Sequence, residues 1–94
     1  MQEYEEISDH LNRLVEGVRS FVRKEKTLEE VSDLVKGEMH HLLVFGKRVG
    51  GKLHEDVQAL QKKACAYLQN SDDPGLELAF FELCLLLKNN LWEL

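Results

Sequence analysis

The 94-residue chain is poor in the residues that interrupt or cross-link a fold: it holds one proline, two cysteines and one tryptophan. With proline confined to Pro74, no ring breaks a helix anywhere before it. Two cysteines, Cys65 and Cys84, are too few for the disulfide framework of a small secreted domain, so a reducing, cytoplasmic setting is expected. Long apolar runs are missing as well. The richest, Leu76 to Leu87, is about 12 residues long, contains Glu77 and Glu82, and falls short of the roughly 20 that a membrane span requires. The opening segment, Met1 to Glu6, is acidic where an export signal would be basic and then apolar, so no signal is expected there. Nothing alternates with period two long enough to make a strand. Without strands, Gly46-Lys47 and Gly51-Lys52 lack the context of a phosphate-binding loop.

Positive charge is also scarce. Twelve Lys and Arg face 17 Asp and Glu, a net charge of -5 that repels a phosphate backbone, and nucleic acid is not an expected partner. The ends of the chain are acidic and the middle mildly basic. Arg23, Lys24 and Lys26 belong at one pole of the molecule and Lys47 and Arg48 at the other, a division that does not make a nucleic-acid groove.

What the chain does have is helical periodicity. An apolar fraction of 44% with 31% charged residues is ordinary for a globular protein, and the length allows one domain, residues 1–94. Tyr4, Ile7, Leu11, Leu14, Val18 and Phe21 recur at three and four residues and predict a first helix, widened by Val15 and Val22. Thr27-Leu28-Glu29-Glu30 reads as a capping box that starts a second helix at Leu28. Its stripe is Leu28, Val31, Val35, Met39, Leu42 and Val49, and Gly50-Gly51 ends it. Leu53, Val57, Leu60, Ala64, Tyr67 and Leu68 form the inner stripe of a third helix. Asp73 and Pro74 then read as cap and first residue of a fourth, running to about Asn90. Short turns between such helices predict an all-α, antiparallel, up-down-up-down four-helix bundle.

The fourth helix carries two apolar stripes. Leu76, Phe80, Leu83 and Leu87, joined by Ala79 and Cys84, supply the core side; Leu78, Phe81, Leu85 and Trp92 repeat on a neighbouring face. A helix apolar around most of its circumference is buried on more than one side, and so small a chain has few layers to cover it. A protein partner, foremost a second copy of the chain, is the expected cover. A secondary candidate patch is Gly37, His40, His41 and Val44, which the helical period turns away from the Val35 side of the second helix.

The adjacent histidines bear on chemistry. Glu38-Met39-His40-His41 contains Glu-x-x-His, and Glu6 and His10 stand four apart, but each is a two-ligand fragment where zinc takes three or four. No metal or other cofactor is expected. Cys65 and Cys84 sit next to the inward positions Ala64 and Leu83, offset by about 6 Å along the axis, too far for a disulfide. The stretch His40-His41-Leu42-Leu43-Val44-Phe45, with Gly50 ten residues after His40, resembles the acceptor segment of histidine phosphotransfer domains, whose pattern is His-x-Leu-Lys-Gly-Ser. Leu42 matches; Leu43 and Val44 replace the lysine and the glycine. The resemblance implies a four-helix bundle with His40 as phosphoryl acceptor. The residues themselves point first to a non-enzymatic protein-binding bundle of adaptor, regulator or chaperone type that forms a homodimer through the fourth helix. Small acidic helical secretion chaperones and regulatory adaptors are similar to it in size and composition.

Overall fold

The structure, a computed structural model, describes residues 2–91. Four helices, α1 (Gln2–Val22), α2 (Leu28–Val49), α3 (Gly51–Gln69) and α4 (Pro74–Asn90), make an antiparallel up-down-up-down bundle, with no strand among the described residues. Each helix packs on the next and α1 meets α4 to close the ring. At 1.5 Å per residue α2 is about 33 Å long, and the molecule measures 35 × 21 × 18 Å, so the helices run along its long axis. No helix among the described residues is long and apolar enough to cross a membrane.

The helix boundaries follow from local chemistry. Thr27 accepts from the Glu30 N–H at 3.2 Å, and Glu30 reaches back to the Thr27 N–H at 3.0 Å. Those bonds favour the ionised carboxylate and hold Glu30 below its usual range. Asp73 caps α4 by accepting from the Gly75 and Leu76 N–H groups, with Pro74 opening the helix where a missing N–H costs nothing. Between α2 and α3 there is a single residue, Gly50, at φ 77° and ψ -165°, a region that side chains exclude and glycine allows. So short a link leaves α3 no course but back along α2.

Seventeen of the described residues form the core, among them Ile7, Leu11, Leu14 and Val18 of α1, Val31, Val35, Met39 and Leu42 of α2, and Leu53, Val57, Leu60, Ala64 and Tyr67 of α3. These follow the expected stripes, whose ends run past the packed layers: Val22, Leu28 and Val49 are exposed. On α4 the core line is Phe80, Cys84, Leu87 and Leu91, with Leu76 and Leu83 only partly buried. The centre of its buried face thus turns from Leu83 towards Cys84. The α1/α2 contact is close enough that the Leu34 methyls occupy the space where a Cβ on Gly17 would stand, 2.6 Å from Cδ2.

Candidate partner-binding surface

On α4 the apolar residues spread around the helix, and the core takes only one side. Leu78 is 58% exposed, Leu85 60% and Leu86 50%, the three highest values among the exposed large hydrophobic residues. Phe81 differs from its two stripe neighbours. It is partly buried, edge-on to Phe80 at 5.5 Å between ring centroids and packed against the core. Leu86 was not part of the expected stripe and is exposed on the far flank of the same face. Trp92 lies outside the described residues. The face therefore consists of Leu78, Leu85 and Leu86, with Phe81 at its root.

Beneath it the core is apolar. Tyr67 stacks on Phe80 at 6.2 Å and meets Phe21 edge-on. Burial, reinforced by the charges of Glu77 and Asp72, raises the Tyr67 pKa, and its hydroxyl has no hydrogen-bond partner among the described residues. Cys84, 2% exposed, has its thiol pushed up to about 12 by burial. A thiol so held is inert, a packing residue and not a nucleophile. Both cysteines are free. Cys65, placed by its spacing beside the inward residues, is in fact exposed on α3, so it and Cys84 have no common site.

The secondary patch lies on the surface as well. Gly37, His40, His41 and Val44 are all exposed on α2, and a Cβ added at Gly37 would meet nothing within 4 Å. His41 is not isolated, however. Its ring stacks on His10 of α1 with centroids 4.7 Å apart and planes 12° off parallel, and His40 meets it edge-on at 5.9 Å. His10 Nδ1 bonds Glu38 Oε2 in a very short contact, and Arg13 Nε donates to Glu38 Oε1 at 3.1 Å. Arg13 Nη2 also lies 3.2 Å from His10 Nδ1. One nitrogen cannot serve both: with its proton directed to Glu38 it has no lone pair for the guanidinium, so the Arg13 contact that counts is the one to the carboxylate. Side chains of His10 and Glu38 are 13% and 17% exposed, which makes this a largely sheltered tie between helices.

Sequence spacing separated Glu6/His10 from Glu38/His41 as two ligand fragments; the fold joins His10 to Glu38 and His41 instead. Nothing in either helix's own period announces that pairing across 28 residues. The joined groups still do not make a metal centre: no set of three or more His, Cys, Asp or Glu side chains is arranged to hold an ion among the described residues. The stack explains part of this, because parallel rings direct their lone pairs side by side and not towards one point.

No family model, no curated protein and no solved structure matches the chain.

Proposed function

We propose that the protein is a non-enzymatic, cytoplasmic protein-binding bundle that associates with a second copy of itself through α4. The observation that carries this reading is the exposure of Leu78, Leu85 and Leu86 together on one helix. Exposed leucines gathered on one helix are costly in water and suit a contact site. Two free thiols suit a reducing compartment, and the net charge of -5 favours a protein over a nucleic-acid partner. Light scattering on wild type and Leu85→Asp provides the test. The expected result is a dimer that the aspartate converts to a monomer of unchanged helicity. A wild type that stays monomeric as concentration rises removes the proposal.

The phosphotransfer alternative draws on one observation, the exposed position of His40 in the middle of α2. Around that ring, Leu43 and Val44 stand where the pattern has a cation and a glycine. Incubation with a phosphorylated receiver domain tests it: acid-labile phosphate that His40→Ala abolishes would establish it, and none on wild type would end it.

A further inference from the structure

The turn between α2 and α3 is unlike the other two. Residues 23–27 join α1 to α2 and residues 70–73 join α3 to α4, whereas Gly50 alone separates α2 from α3. Gly50 at φ 77° and Gly51 at φ 59° make that turn, and a Cβ at either would stand in open space. Both positions therefore favour glycine for its backbone freedom and not for lack of room.

The two helices that meet there carry one stripe. The buried line of α2 is Val31, Val35, Met39, Leu42 and Gly46, and that of α3 is Leu53, Val57, Leu60, Ala64 and Tyr67. Gly46 and Leu53 are seven residues apart, two helical turns, so the lines are in phase. A helix that ran straight through Gly50 would carry Val31 to Tyr67 on a single face about ten turns long. Val49 fills the gap in that face between Gly46 and Leu53, yet in the closed bundle it is 37% exposed.

The seams divide the bundle at the same place. Glu38 with His10 and Arg13 ties α1 to α2, and the stack of Tyr67 on Phe80 joins α3 to α4. The α1/α4 seam is the thinnest of the four helix contacts that close the bundle. It opens into a cleft of about 500 Å³ between Leu11 and Val15 of α1 and Cys84 and Leu85 of α4. Parting the α1/α2 pair from the α3/α4 pair breaks that thin seam and the α2/α3 seam, where a Cβ on Gly46 would come within 3.4 Å of the His54 Cα. Both seams re-form with the same residues when the second pair is supplied by another copy.

We infer that Gly50-Gly51 is a hinge at which α2 and α3 straighten into one helix, so that two copies exchange their α3/α4 halves and form two closed bundles end to end. Every seam is kept and only the chain that supplies it changes, while the two copies of Val49 come together beside the two-fold axis at the hinge. One term opposes the exchange. Lys47, Arg48 and Lys52 outnumber Glu55 and Asp56 near the hinge, so like charge approaches like, a cost that salt screens. The exchange does not depend on association through α4, which leaves each chain folded on itself.

The test reads a distance within one chain. Spin labels go on Cys65, which is exposed, and on a cysteine introduced by Lys36→Cys; Cys84 is buried and does not label. Labelled chains are mixed with an excess of unlabelled ones and refolded at high protein concentration in high salt. In the closed bundle the labels ride on adjacent antiparallel helices, with axes about 10 Å apart. In the straightened helix they stand about 44 Å apart along the axis. The inference expects a wild-type dimer with the long distance. Gly50→Ala with Gly51→Ala should lower its dissociation constant about tenfold or more, because alanine resists the left-handed turn and favours the helix. Inserting Gly-Ser-Gly-Ser after Gly50 should abolish it. A dimer whose labels stay close in wild type and in the alanine variant overturns the hinge and leaves α4 association standing, and monomers throughout overturn both. If the alanine variant does not fold as a helical bundle, wild type set against the insertion decides: a long-distance dimer lost on insertion supports the hinge, and one that persists overturns it.

Discussion

Along α1, the flank facing α2 and the flank facing α4 are built differently. Against α2, Leu34 lies over Gly17, and His10, Arg13 and Glu38 tie the helices through partly sheltered polar bonds with His41 stacked outside. Against α4, the contact thins to a cleft of about 500 Å³ that an exposed hydrogen bond from Lys88 to Asn12 crosses. The two flanks share a core and a helix, so the contrast does not come from helix propensity. It teaches where the fold has finished its own packing and where apolar surface stays uncovered. The sealed flank spends its polar groups on itself; the open flank leaves leucines and a recess unused.

The largest expected effect tests how dry the floor of the open flank is. Cys84 sits there with its thiol raised from an ordinary 9.0 to about 12 by burial. Its folded form favours the protonated state, so the full stability is present below pH 9 and is lost as the unfolded chain ionises first between pH 9 and 12. Three units correspond to a loss of roughly 4 kcal/mol at the upper end of that range. The raised Tyr67 acts in the same direction above its ordinary 10.0. Urea unfolding at pH 8 and at pH 11 should show a steep alkaline loss in wild type that Cys84→Ala lessens, against a lower starting stability. Equal alkaline slopes in the two proteins would mean that water reaches the thiol and that the cleft has no dry floor.

A smaller effect separates the flanks directly. Glu38→Gln leaves Arg13 without its carboxylate and weakens the bond to His10, and a partly sheltered charged pair of this kind is worth about 1–2 kcal/mol. Lys88→Met removes the exposed bond to Asn12, where the expected cost is below about 0.5 kcal/mol. Denaturant midpoints measured side by side at one low protein concentration give the ranking. Equal costs would dissolve the distinction between a sealed and an open flank.

How much of this was legible depended on whether the signal was local. The capping box at Thr27, the Asp73-Pro74 start and the Gly50 stop are short-range devices, and with the stripes of α1, α2 and α3 they placed four helices and their order. The rotation of α4 was not legible, because a helix apolar nearly all round gives its period no unique inner side. That ambiguity set Phe81 beside Leu78 and Leu85, when packing on Phe80 draws it partly inward, and it hid Leu86. The His10–Glu38 tie depends on which flanks of α1 and α2 meet, a fact that neither stripe contains. The end of α1 falls in the cationic run Arg23, Lys24 and Lys26. In the structure Lys24 takes φ 65° as the left-handed residue of a Schellman motif, with the Glu25 N–H bonded to the Ser20 carbonyl and the Lys24 N–H to that of Phe21. Glycine is the usual residue there, so a lysine gave no warning.

An effect smaller than that of Glu38→Gln concerns the other surface singled out from the sequence, the outer face of α2. Gly37 stands in mid-helix, exposed, with open space where its Cβ would be, so nothing within the protomer requires glycine. Gly37→Ala should therefore stabilise the fold by up to about 1 kcal/mol, through helix propensity and a less flexible unfolded chain. In a domain of this size that raises Tm by roughly 4–8 °C, read at one fixed protein concentration because association also moves Tm. The dissociation constant measured on the same samples completes the comparison. If α4 forms the contact, the added methyl leaves association unchanged, since it projects from a different helix face. A dimer weakened by that one methyl would instead place the second copy on α2, with Gly37 kept small so that a partner's backbone can come near, and would return Leu78 and Leu85 to the status of solvent-exposed apolar residues.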